Sequence, residues 1–143
     1  MLIAALFVSC LIGLPADGPV VRGFAPEGLY GGHWGIDIAV PAGTSVGAAD
    51  AGVVTFSGQV AGRASVTISH GGSVRTSYSY LSSRSVAQGQ HVRAGEIIGL
   101  SGVDHGLEAI HFSLRLGDRY LDPMRAGCGS LSPGPGVRLV AAA

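Results

Sequence analysis

The sequence predicts an all-β domain, a folded antiparallel sheet, on three observations: glycine is abundant, charge is sparse, and short β-branched runs recur between glycines. Glycine supplies 24 of the 143 residues while only 13% are charged. That balance suits tight turns and argues against disorder and against a helical bundle, which tolerates glycine poorly. The length fits one domain with its own core. Nine Lys+Arg balance nine Asp+Glu and no basic run occurs, so nothing points to nucleic acid.

Residues 1–16 read as a signal-like segment. Leu2 to Leu14 is almost wholly apolar, and it is shorter than the roughly 17–25 residues of a membrane-spanning helix. A secretory hydrophobic region fits it better and implies export to the cell envelope or beyond, although no Lys or Arg precedes it and Leu14 before Ala16 is a poor cleavage pattern. Removal of the segment takes Cys10 with it and leaves Cys128 alone, so no intrachain disulfide is expected.

Residues 17–29, punctuated by Gly18, Pro19, Gly23, Pro26 and Gly28, read as an irregular lead-in. The domain proper spans 30–125. Its strand-like runs are Gly35 to Val40, Gly52 to Gln59, Ala64 to His70, Val74 to Leu81, Glu96 to Leu100 and Ile110 to Leu116. Gly71 and Gly72 separate two alternating runs and can take the positive φ of a tight hairpin turn. Val66 and Ile68 then share one face, with Thr67 and Ser69 on the other. The glycines at 89, 95, 99 and 102 suit a strand that turns a corner. Residues 126–143 lack periodicity and read as a flexible tail.

The stretch His33-Trp34-Gly35-Ile36-Asp37, together with His111 far downstream in a strand-like run, carries the chemistry. Two imidazoles and a carboxylate suit Zn²⁺ and leave a fourth coordination position open, the layout of a catalytic metal site. The spacing of His33 and Asp37 alone is weak, because Gly31, Gly32 and Gly35 make a helix improbable and place the pair where a loop enters a strand.

The segments HWGIDIAVPAGTSVGAADAGVVTFSG, SVTISHGGSVRTSY, QGQHVRAGEIIGLSG and IHFSLR occur in the order found in lysostaphin-type (LytM-like) zinc endopeptidases. Over about residues 30 to 125 the chain resembles that family, which cuts peptide cross-bridges of bacterial cell walls. It is also similar to a branch whose domain closes with a strand and a Tyr-Leu-Asp-Pro ending, here Tyr120 to Pro123. The resemblance implies the lysostaphin-type core with its duplicated hybrid motif, Zn²⁺ held by His33, Asp37 and His111, and peptidoglycan peptide as partner. The fold is related in style to lipoyl-carrying domains, but the chain has no lysine and therefore no lipoyl attachment point.

Two further family histidines fall on Ala109 and Tyr80 in this chain. A positioned general acid or base contributes about 10²–10⁴ in rate, and alanine supplies neither. Tyr80 keeps a phenol that can donate a hydrogen bond to an oxyanion. His105 and Glu108, in the segment from Ser101 to His111 that reads as a loop one residue longer than the family pattern, are candidate substitutes, with His105 the second catalytic candidate beside Tyr80. Trp34 and Tyr30 flank the first ligand and are candidate contacts for peptide. His70 reads as structural and His91 as a surface residue. The resemblance thus admits two functions: a zinc metalloendopeptidase-type domain acting on peptidoglycan peptides, or a catalytically silent relative that binds the wall or regulates other cell-wall hydrolases.

Overall fold

A computed structural model describes residues 12–126. Residues 1–11 of the signal-like segment, Cys10 included, and residues 127–143 of the tail, Cys128 included, lie outside the described residues. Twelve strands and one short helix follow in order: β1 Val20–Arg22, β2 Ala25–Glu27, β3 Gly31–His33, β4 Ile36–Ala39, β5 Ser45–Gly47, β6 Gly52–Val60, β7 Arg63–Ser69, β8 Val74–Arg84, β9 His91–Val92, β10 Ile97–Asp104, β11 Leu107–Leu116, β12 Arg119–Leu121 and α1 Pro123–Ala126. Ten strands form one antiparallel sheet in the order β1-β4-β11-β10-β8-β7-β6-β9, with β12 on β11 and β5 on β10, and β2 pairs with β3 separately.

All six expected runs are strands, and Gly71 and Gly72, both at positive φ, join β7 to β8. Period-2 alternation sorts the side chains of this sheet. Val66 and Ile68 on β7, Thr76 and Tyr78 on β8, and Ile110, Phe112 and Leu114 on β11 are buried to one side. Each large apolar side chain so buried stabilises the fold by about 1.5–3 kcal/mol. Ser65, Thr67, Ser77, Ser79, His111 and Ser113 turn to the opposite face and line a groove.

Three expectations need correction. The lead-in at 17–29 is not wholly irregular: β1 pairs with β4 and β2 with β3. Three-residue strands carry too little periodicity to be read from sequence, and their partners supply the order. Within the segment taken as signal-like, Ile12 belongs to the core at 2% exposure, and the carbonyl of Pro15 accepts from the Gly47 amide. The third is the segment from Ser101 to His111, which is a hairpin and not a loop. β10 continues to Asp104, His105 and Gly106 turn at φ 48° and 79°, and β11 starts at Leu107. Two consecutive positive-φ residues make the tight turn that matches strand twist, so no extra loop length is needed.

The sheet forks beside the future site. The first half of β11 pairs with β10 and the second half with β8, while the end of β8 returns to β10. At the fork Ser79 faces Ser65 and Leu81 faces Ala64, which leaves Tyr80 as a bulge residue at φ 63°. Gly102 makes the fork passable: a Cβ there would lie 2.6 Å from the Tyr80 carbonyl oxygen.

Candidate metal centre and its groove

β4 and β11 run side by side with Asp37 opposite His111, and β3 delivers His33 to the same point. Two glycines enforce the local path. Gly32 takes φ 80° with its Cα so close to β2 that a Cβ would meet the Ala25 carbonyl oxygen at 2.3 Å. A Cβ on Gly35 would lie 2.5 Å from the Phe112 carbonyl oxygen and 2.8 Å from the His111 ring. The sequence HWGID therefore needs its glycine to let the His111 ring lie across the chain.

The three side chains converge on one point. His33 Nε2 lies 3.0 Å from Asp37 Oδ1 and 3.1 Å from His111 Nδ1, and His111 Nδ1 lies 2.8 Å from Asp37 Oδ1. His33 and Asp37 are buried, and His111 is half-buried. His33 Nδ1 is 2.7 Å from the Gly23 carbonyl oxygen. A carbonyl only accepts, so Nδ1 carries the hydrogen and a neutral His33 turns its Nε2 lone pair toward Asp37 and His111. This is the arrangement in which an outer carbonyl fixes a metal-ligating histidine. Three electron-pair donors facing one another across such a gap need a positive charge between them. The two-imidazole, one-carboxylate set fits Zn²⁺.

Asp37 feels opposing influences. Burial pushes its carboxyl up, but with protons instead of a metal on the facing nitrogens the imidazoles of His111 and His33 outweigh burial through hydrogen bonds and charge and bring it below the usual carboxylate value. It stays ionised at neutral pH.

Around this cluster the other candidates separate. Trp34 and Tyr30 line a groove of about 730 Å³ that also takes in His111, Phe56 and Tyr120. Trp34 is held by its indole N–H donating to the Gly31 carbonyl at 2.7 Å and by edge contact with Tyr120, whereas Tyr30 is 93% exposed. The groove floor is hydroxyl-rich, with Thr67 and Ser77 oxygens 2.9 Å apart and Ser65 and Ser79 oxygens 3.1 Å apart. Hydroxyls donate and accept, as a peptide backbone requires.

Tyr80 stands next to the cluster, its ring 6.3 Å from that of His111, and lines a small adjoining pocket. Burial first, then the negative charge of Asp104, hold its phenol above the ordinary tyrosine value, with Arg63 opposing. The phenol remains a donor at neutral pH. His105 occupies the exposed hairpin tip with its ring 6.2 Å from that of Tyr80. It is not brought to the metal-ligand cluster. Glu108 is turned away, its Oε1 accepting from the Ala42 amide at 3.2 Å. Ala109 shares the face of His111 and is fully buried.

His70 is structural. It contacts the Ala51 carbonyl through Nδ1 and the Thr76 hydroxyl through Nε2, and that hydroxyl reaches the Tyr78 hydroxyl, which accepts from the Ala49 amide. His91 is exposed on β9. Two participants, the Gly23 carbonyl and Arg63, carry little signal in the sequence, and Asp104, which the sequence offers only as a superfluous metal ligand beside Glu108, instead neighbours Tyr80. Gly23 acts through a main-chain carbonyl, for which side-chain patterns give no signal. Asp104 is 7% exposed and its Oδ1 has no hydrogen-bond partner, although His105 Nε2 is 3.3 Å away. Arg63 reaches the site only because β7 folds onto β8; its position after an Ala-Gly turn was the one available cue.

A match to the model of peptidase family M23 spans residues 31–123, the region that contains all three converging side chains. The chain belongs to peptidase family M23. This M23 chain is 40% identical over 95 residues to the DD-carboxypeptidase/endopeptidase Mpg of Neisseria gonorrhoeae, a match covering 64% of the chain and 22% of Mpg. It is 36% identical over 125 residues to an uncharacterized protein of Mycobacterium tuberculosis, covering 79% of the chain and 50% of that protein. The M23 chain thus spans between about a fifth and a half of the length of these relatives. Among solved structures, a zinc-containing peptidase from Vibrio cholerae aligns with a TM-score of 0.70 at 28% identity, covering 80% of this chain and 39% of that one. Lysostaphin in solution aligns with a TM-score of 0.71 at 27% identity, covering 90% and 62%. The M23 fold is therefore the lysostaphin-like antiparallel β-fold expected from the sequence.

Proposed function

We propose that this chain is a zinc metalloendopeptidase-type domain acting on peptidoglycan peptides, with His33, Asp37 and His111 as the metal ligands. The observation that carries the reading is the convergence of two imidazole nitrogens and one carboxylate oxygen, with His33 fixed from behind by Gly23. Zinc held there supplies a Lewis acid that polarises a carbonyl and activates water. Trp34 and Tyr30 wall the groove in which a peptide lies, and the serine and threonine floor takes its backbone groups. Tyr80 donates its phenolic proton toward the oxygen of the attacked carbonyl, a role its retained proton allows. The more distant His105 is the weaker candidate for the missing base, because its side chain is 75% exposed.

Support for the substrate comes from relatives: Mpg is described as a DD-carboxypeptidase/endopeptidase, and lysostaphin as an antimicrobial peptidase. Support for an envelope location comes from relatives described as lipoproteins, in Escherichia coli and Haemophilus influenzae. No helix among the described residues is long and apolar enough to cross a membrane.

The test pairs metal analysis with digestion of purified cell wall, on wild type and His33→Ala. Wild type is expected to hold about one Zn²⁺ per chain and to release peptide slowly, with both lost in the variant. Absence of zinc from wild type refolded in excess zinc would overturn the ligand assignment. Zinc binding without any release favours the silent, wall-binding relative.

A further inference from the structure

We infer that the end of the groove far from the metal-ligand cluster binds a side-chain carboxylate of the peptide, between Arg75 and Arg115, about four residues from the attacked bond. This rests on reading the site as a zinc peptidase. The groove floor is a regular ladder across β11, β8 and β7. On its first rung His111 faces Ser79 and Ser79 faces Ser65; on the second, Ser113 faces Ser77 and Ser77 faces Thr67. Thr76 and Leu114 are buried on the other side of the sheet, so the alternation continues and the third rung sets Arg115 opposite Arg75 on the groove face. The bulge at Tyr80 lies beyond Ser79 and leaves all three rungs in register.

Two rungs separate the arginines from His111. At about 3.4 Å per residue that is roughly 14 Å along the strands, the length that four residues of an extended peptide cover.

Directly opposed residues of an antiparallel pair hold their Cβ atoms about 4.5–5.5 Å apart, and like charges placed there destabilise the sheet. No ion pair offsets that repulsion. Among the described residues neither arginine makes one, and residues 1–11 and 127–143 contain no Asp or Glu. Asp118, in the turn after β11, lines the groove but is within ion-pair distance of neither. A carboxylate entering between the arginines therefore meets two positive charges against one negative.

Arg115 is also oriented. Its guanidinium carbon lies 5.8 Å from the centre of the Tyr120 ring, and that ring lies 5.6 Å from Trp34, next in sequence to the ligand His33. Arg75 is exposed beside it. Two guanidinium forks on one rung supply the paired N–H donors that a carboxylate accepts. The hydroxyl rungs between them and His111 suit a peptide backbone, so the anion that reaches the pair is carried on that peptide. The groove thereby selects peptides with an acidic side chain over wholly neutral ones.

The test is calorimetric titration of the zinc-loaded full chain with glycine peptides that carry a hydroxamate, which chelates zinc, at one end and a neutral cap at the other. One Glu is placed one to six residues from the hydroxamate, in either chain direction, and each peptide is compared with its Gln counterpart. In one direction, Glu at about four residues is expected to bind at least about fivefold more tightly than Gln. Arg75→Gln and Arg115→Gln should each reduce that preference, and together abolish it, with zinc content and Gln-peptide affinity unchanged. Arg75→Glu should turn it toward a Lys peptide. Arg75→Gln carries the most weight, because Arg115 also packs on Tyr120. Equal affinity of Glu and Gln peptides at every spacing overturns the proposal. So does a preference that peaks beside the hydroxamate or survives the double substitution. Zinc measured on the same samples tests the metal site separately. If wild type holds no zinc, the ligand assignment falls, and the pair is judged on the same Glu and Gln peptides without hydroxamate, where equal affinity overturns it.

Discussion

His111 and Ala109 stand two residues apart on one face of β11, yet the regions they belong to are built differently. Around His111 every donor is held: Asp37 by register with its neighbour strand, His33 by the Gly23 carbonyl, the His111 ring by the space that Gly35 leaves. Around Ala109 the groups that could move protons are a bulged tyrosine, a histidine on an exposed tip and a buried carboxylate with an oxygen unpartnered. The candidate metal ligands and the groups beside them therefore rest on different structural supports. The first depends on fixed strand register, the second on what a bulge and a turn present.

The sharpest way to break the comparison is to remove a donor from the ordered side. His111→Ala is expected to take zinc from about one per chain to none measurable by metal analysis, because two remaining ligands do not complete a zinc site. Retention of stoichiometric zinc would show that the cluster is not the metal centre.

Restoring the other side tests the same contrast. Wild-type turnover on pentaglycine or stem-peptide substrates is expected to be at least about 10²-fold below that of relatives with both histidines, and the double substitution Ala109→His with Tyr80→His should recover much of that factor in kcat. Because Ala109 is fully buried, an unchanged rate in a folded, zinc-bearing double variant would mean that the ring cannot enter the space.

A smaller effect separates both regions from the core beneath them. Burial pushes the Tyr78 phenol up to about 12, against which its hydrogen bonds to Thr76 and the Ala49 amide act only in part. The folded state holds this proton more tightly than the unfolded chain. The contribution is complete below pH 10 and is lost as pH rises toward 12, amounting to about 3 kcal/mol. Denaturant midpoints measured across that range should fall, and Tyr78→Phe should flatten the fall. Smallest of all is His105→Ala, for which turnover should change by less than about twofold, as for an exposed side chain away from the reacting atoms. Hydrolysis abolished by this substitution would place the base on the hairpin tip.

Much of this was legible in the chain. Alternation in VTIS and IHFSLRL fixes which residues face the core, and Gly71-Gly72 marks a hairpin, because period and turn chemistry are local properties. The three metal-binding candidates could be named because their residue types and order match a family pattern. The short strands at 20–22 and 25–27, and the hairpin read as a loop between Ser101 and His111, were not legible: three residues hold no period, and a two-residue turn at His105-Gly106 needs no diagnostic length.

By itself, then, the sequence determined an all-β domain and, through the order of its motifs, named two histidines and an aspartate as candidate metal ligands, since strand period and motif order need no knowledge of distant partners. Only the tertiary structure decided that a glycine carbonyl from the lead-in orients His33, that a bulge aims Tyr80 toward His111, and that Arg63 from another hairpin ends the pocket beside them. Each depends on pairing between strands far apart in the chain, where backbone geometry and not residue identity sets the distance.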